Sequence, residues 1–234
     1  MKARGVDRAR PPGHQGWSGP PLRDSAGISP DFALTRAPPT IPRSLRRMTE
    51  ALTDDPRPDD LRSAPSLLVV NTGDGKGKSS AAFGVMLRAL AAGWKVAVAQ
   101  FVKSSEWKVG EEQIGRQLGV AWHAFGDGFT WDSADLDHDI ALAREGWAAA
   151  KALIESDEYR LVILDELTYL CTWGWVDTAD VVATLANRPE RVNVIVTGRD
   201  APAEIVALAD TVTEMREVKH AYQQGIRAKR GIDY

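Results

Sequence analysis

The chain has 234 residues, 44% of them apolar and 26% charged, with a formal net charge of −3. That is a globular composition, long enough to bury a core, and its charge argues against non-specific nucleic-acid binding as the main task. A single cysteine, Cys171, excludes an internal disulfide framework and all-cysteine metal sites, and the absence of any run of ~18 apolar residues excludes a membrane-spanning helix.

Composition shifts along the chain. Eleven of the thirteen prolines lie at or before Pro65, and residues 1–47 hold nine Lys/Arg against three Asp/Glu. A segment so rich in proline and poor in large apolar residues cannot repay its ordering entropy. Residues 1–64 therefore read as a disordered or loosely attached Pro/Arg-rich extension, and residues 65–234 as the folded domain. The opening MKARGVDRARPPGHQGW lacks the apolar segment of a secretory signal, and a cytoplasmic protein is expected.

From Ser66 onward short apolar runs alternate with helical patterns. Leu67–Val70, Val96–Val102, Leu161–Leu164 and Val192–Val196 are near-continuous apolar runs rich in β-branched residues, the profile of parallel strands covered on both faces. Weaker strands are expected at Ala121–Phe125 and Thr211–Glu214, and helices at 79–92, 110–118, 137–156, 178–187 and 202–209. This alternation predicts an α/β fold, a P-loop NTPase-like open, mostly parallel sheet with helices on both faces. Such sheets bind ligands at the carboxyl ends of their strands.

The first strand runs into Thr72, Gly73, Asp74, Gly75, Lys76, Gly77, Lys78, Ser79 and Ser80, and then into a helix. Three glycines in five residues let a backbone approach a ligand closely, and the loop amides with the helix N-terminus make a cradle for phosphate. Lys78 would neutralise phosphate charge, and the Ser79 hydroxyl stands where a magnesium ligand belongs. The loop is a variant, because Thr72 occupies the first glycine position of the G-x-x-x-x-G-K-[ST] pattern. A second acidic site is expected at Asp165 and Glu166, where LVIL ends, suited to hold Mg²⁺ beside nucleotide phosphates. Arg199, in Thr197-Gly198-Arg199 after a later strand, can reach a polyphosphate as a bidentate donor.

Other features carry less. Phe129 and Trp131 sit in a glycine-flanked loop, either covering a flat ligand or tucked into the core. Trp173 and Trp175 read as packing, and Cys171 as a small buried residue with no histidine beside it. The four histidines show no ligand spacing. These residues define a nucleotide binder and leave the reaction open between a kinase or ATPase, another group transfer and a non-catalytic carrier.

TGDGKGKSS, the GFTW of Gly128–Trp131, the LDELTY of Leu164–Tyr169, the VTGRD of Val196–Asp200 and the ending VKHAYQQGIRAKRGIDY together resemble ATP:corrinoid adenosyltransferases of the CobA/CobO/BtuR type. The resemblance runs in order from about Leu67 to Tyr234. It implies transfer of the 5′-deoxyadenosyl group of ATP to the Co(I) of a reduced corrinoid with release of triphosphate, the nucleotide lying reversed across its loop. It further implies that Thr72–Ser80 and Arg199 hold ATP, that Ser79 and Glu166 hold Mg²⁺, and that Lys78, Glu166 and Arg199 are the catalytic set. Phe129 and Trp131 match aromatics that pack against the corrin. A homodimer, a flavin-type or other reductase as electron source, and no nucleic-acid or membrane partner follow from the same resemblance. Asp74 stands where the family commonly has asparagine, and Ser79-Ser80 where it more often has threonines.

Overall fold

Each central strand is apolar almost throughout because both of its faces are covered. The computed structural model describes residues 60–102, 110–126 and 136–233. Its elements in chain order are β1 Leu68–Thr72, α1 Lys78–Ala91, β2 Val96–Phe101, α2 Gly110–Gln117, β3 Ala121–Phe125 and α3 Leu136–Glu155. They continue with β4 Leu161–Asp165, α4 Leu167–Thr172, α5 Thr178–Ala186, β5 Asn193–Thr197, α6 Ala203–Leu208 and β6 Thr211–Glu214. All six strands were expected, two of them with the same bounds. Helix α4 was not.

The strands form one sheet in the order β3-β2-β4-β5-β1-β6, and every neighbouring pair is parallel. The crossover from β1 to β2 passes β5 and β4, and the chain later returns to fill that space. Parallel pairing needs long crossovers, and the helices supply them. Within β4 the side chains alternate between two cores. Leu161 and Ile163 join Ala82, Phe83, Met86 and Ala89 of α1. Val162 and Leu164 join Trp147, Ala150 and Ile154 of α3, together with residues of α4, α5 and α6. Truncating one such buried Leu or Ile to alanine costs about 2–5 kcal/mol, so these two apolar layers fix the sheet. The helices-on-both-faces architecture is as the sequence predicts.

At the carboxyl edge the apolar pattern stops in register. Asn71 of β1 pairs with Thr197 of β5, and Gln100 of β2 pairs with Asp165 of β4. Leu164 pairs with Val196 one step earlier, which sets Asp165 beside Thr197. Four adjacent strands thus each carry a buried polar residue at their last or next-to-last position: Gln100, Asp165, Thr197 and Asn71.

Candidate active site at the carboxyl edge of the sheet

The glycine loop leaves β1 at Thr72, whose Oγ1 accepts the Ala201 N–H at 3.1 Å. Helix α1 starts at Lys78 behind Gly77, which lies at φ 106. The outer side of the loop is closed by the main chain that follows β6. Met215 N–H donates to the Thr72 carbonyl at 2.8 Å, and the Met215 carbonyl accepts Gly75 N–H at 2.6 Å. A Cβ on Gly73 (φ 92) would lie 2.5 Å from the Met215 carbonyl oxygen, and one on Gly75 would lie 2.8 Å from the Arg216 main chain. These two glycines are required by the strap on their outside as well as by any ligand within.

Lys78 points into the loop and is largely buried. Its ammonium donates to the carbonyls of Gly73 at 2.8 Å and Gly75 at 2.7 Å. Burial lowers its pKa from the usual lysine range, the Glu166 carboxylate acts the other way, and the positive charges of Arg199 and Lys76 add to the lowering. Glu166 and Arg199 therefore both lie within electrostatic reach of Lys78. Asn71 braces the start of α1, its Nδ2 donating to the Lys78 carbonyl at 3.3 Å.

The acidic turn is held by side chains. Strand β4 runs one residue further than expected, so Asp165 still belongs to the sheet and is fully buried. Gln100 Nε2 donates to its Oδ2 at 2.8 Å, and Thr197 Oγ1 donates to its Oδ1 at 2.7 Å. The same Thr197 oxygen accepts Glu166 N–H at 3.0 Å. Glu166 takes a left-handed conformation (φ 63) as the cap of α4. Asp165 is thus a buried anchor, and Glu166 is the carboxylate whose charge acts on Lys78.

Arg199 follows β5 in a turn that packs tightly on α4. Thr168 Oγ1 donates to the Arg199 carbonyl at 2.6 Å, and a Cβ on Gly198 (φ 138) would fall 2.0 Å from that hydroxyl. Tyr169, one turn into α4, has its phenol pKa raised by burial and then by the Glu166 charge. Its ring stacks on Trp173 at 5.0 Å, and Trp173 meets Trp175 at 4.8 Å. Trp175 packs on the core, as expected, while Trp173 remains 38% exposed.

The fold therefore brings Thr72–Ser80, Glu166 and Arg199 to one edge. Phe129 and Trp131 lie outside the described residues, as do residues 1–59. Asp74 is exposed on the loop. Cys171 is buried, its thiol pushed up to about 11 by burial, which agrees with an inert core residue. Among the described residues no group of three or more His, Cys, Asp or Glu is placed to hold a metal ion, and no helix is long and apolar enough to cross a membrane. Sequence reading missed the anchoring roles of Gln100, Thr197 and Asn71. Their signal was present: VAVAQ, VIVT and LVVN each place one polar residue at or next to the end of an apolar strand.

A parallel sheet, a glycine loop leading into a helix with its buried lysine, and an acidic turn two strands away define a P-loop protein. Residues 65–234 match the family described as ATP:corrinoid adenosyltransferase BtuR/CobO/CobP. The chain is 41% identical over 180 residues to the corrinoid adenosyltransferase of Escherichia coli (strain K12), covering 77% of this chain and 91% of that protein. It is 42% identical over 175 residues to that of Pseudomonas aeruginosa (strain PAO1), covering 74% and 86%. Against the corrinoid adenosyltransferase CobA of Salmonella typhimurium (strain LT2) it is 38% identical over 180 residues, covering 77% and 91%. The chain belongs to the ATP:corrinoid adenosyltransferase family.

Proposed function

We propose that this enzyme transfers the 5′-deoxyadenosyl group of ATP to the Co(I) of a reduced corrinoid, with Thr72–Ser80 and Arg199 holding the triphosphate. The observation that supports these roles is the buried Lys78 ammonium, enclosed by loop carbonyls and under the charges of Glu166 and Arg199. The cobalt electron pair forms the Co–C5′ bond as the C5′–O bond breaks, and triphosphate departs with that bonding pair. No side-chain nucleophile is needed, and buried Cys171 is not one.

The work left to the protein is positioning and charge compensation. In this reading Lys78 and Arg199 meet the negative charge that grows on the departing oxygen chain, a contribution worth about 2.7–4 kcal/mol for one well-aimed donor. Ser79 and Glu166 offer one hydroxyl and one carboxylate. That sparse donor set fits Mg²⁺, which keeps several waters and takes phosphate oxygens in place of a protein cage. When bound, Mg²⁺ neutralises charge on the triphosphate. Phe129 and Trp131 are assigned to the corrin by the motif they belong to. On the same resemblance the enzyme is a cytoplasmic homodimer supplied with electrons by a flavin-type or other reductase.

The test is an anaerobic assay with chemically reduced corrinoid, ATP and Mg²⁺. Adenosylated corrinoid and inorganic triphosphate are expected, and ADP as the nucleotide product would overturn the reading. Lys78→Ala should lower turnover by about 100-fold or more; near-normal activity would remove the loop from the mechanism.

A further inference from the structure

The distinctive ending of the chain has no role so far. After β6 the strap does more than close the loop. His220 accepts Tyr222 N–H on Nδ1 at 3.0 Å and starts a 3₁₀ turn at Ala221–Gln224. Gly225 (φ 74) ends that turn and sends the chain back toward the loop. A cavity of about 440 Å³ results, lined by Lys76 of the glycine loop, by Arg199 and, from the strap, by His220 and Arg227.

Its charges are unbalanced. Glu217 and Asp233 also line the cavity, but both are engaged by the strap itself: the Gln223 amide donates to Glu217, and Asp233 accepts Lys229 N–H at 2.7 Å. Among the described residues neither the Lys76 ammonium nor the Arg199 and Arg227 guanidiniums have a hydrogen bond or ion pair. Three cations against two carboxylates leave the opening with a net positive charge, and an anion with several oxygens can meet the cations that the two carboxylates leave unpaired. A guanidinium fork matches phosphate oxygens two at a time, whereas adenosine brings no charge to compensate.

We propose that this cavity is the outer part of the polyphosphate site. The strap, through Arg227, binds the phosphate end that projects past Lys76 from the glycine loop. The proposal rests on the reading that the loop holds the triphosphate. It makes Arg227 a binding residue selective for three linked phosphates over two, because a diphosphate is already satisfied by the loop amides and Lys78.

Calorimetric titration of the full chain with Mg²⁺-tripolyphosphate and with Mg²⁺-pyrophosphate tests this directly. Arg227→Ala should weaken tripolyphosphate by about tenfold or more, the loss expected of one charged hydrogen-bonding partner, and change pyrophosphate less than about twofold. Arg227→Lys should recover part of the loss. Arg230→Ala removes the same charge from a strap position outside the cavity and should leave both anions unaffected. Unchanged tripolyphosphate binding in Arg227→Ala, or equal losses in Arg227→Ala and Arg230→Ala, would overturn the proposal. Lys78→Ala separates the two levels of the argument. Loss of both anions there, without any effect of Arg227→Ala, rejects the strap alone, whereas intact binding in Lys78→Ala rejects the loop assignment beneath it.

Discussion

The glycine loop after β1 and the acidic turn after β4 lie on the same edge of one sheet, yet they are held in opposite ways. The loop is held by main chain, from outside, through the two Met215 hydrogen bonds and the fit of Gly73 and Gly75 against the strap. The turn is held by buried side chains, from beneath, through Gln100, Asp165 and Thr197. A phosphate cradle needs loop amides free for its ligand, and the strap engages one of them, Gly75 N–H, together with the Thr72 carbonyl. A carboxylate that sets charge needs only one fixed residue under it, and a hydrogen-bonded row inside the sheet provides that.

The sharpest way to break this contrast is at the loop. Gly73→Ala places a methyl 2.5 Å from the Met215 carbonyl, at a φ of 92 that L side chains rarely adopt. Strain of about 1–3 kcal/mol is expected from the backbone alone, and the strap has to move as well. The affinity for ATP should fall by about tenfold or more, with the unfolding midpoint lowered by about 2–4 °C per kcal/mol. A variant with normal ATP affinity would show that the strap merely rests on the loop.

A smaller effect is expected beneath the turn. Asp165→Asn keeps the shape but turns one acceptor into a donor facing Gln100 Nε2 or Thr197 Oγ1, and the latter already accepts Glu166 N–H. Losing hydrogen bonds to a buried charge costs about 1.5–3 kcal/mol, so thermal unfolding should move down by about 3 °C or more. ATP affinity should change far less than in Gly73→Ala. Equal losses in the two variants would mean that loop and turn are one unit.

The same contrast explains what could be read from the chain. Buried parallel strands advertise themselves as apolar runs, and even the exposed edge strand β6 was legible from its Thr-Val-Thr run. Helix α4 was not, since six residues hold too few turns to show a period. Lys78, Glu166 and Arg199 were singled out because their residue types carry the chemistry, and the fold brings them to one edge of the sheet. The strap was matched only as a motif. VKHAYQQGIRAKR has no periodicity, and the strap grips the loop just before it, at Met215, through main-chain atoms that every residue possesses.

The smallest effect concerns what it costs to keep Lys78 inside the loop. Its pKa is lowered, chiefly by burial, so between that lowered value and the ordinary lysine range the unfolded chain binds more protons than the folded one. Stability of the ligand-free protein from this group therefore rises with pH across that window. Tyr169 acts in the opposite sense. Its raised pKa means that the unfolded chain ionises first, and stability falls as pH climbs through the tyrosine range. Lys78→Met removes the first contribution and keeps the second. Denaturant midpoints measured across the alkaline range should then show a more negative pH slope in Lys78→Met than in the parent chain. Equal slopes would mean that the loop carbonyls fully replace the water that Lys78 gives up on burial.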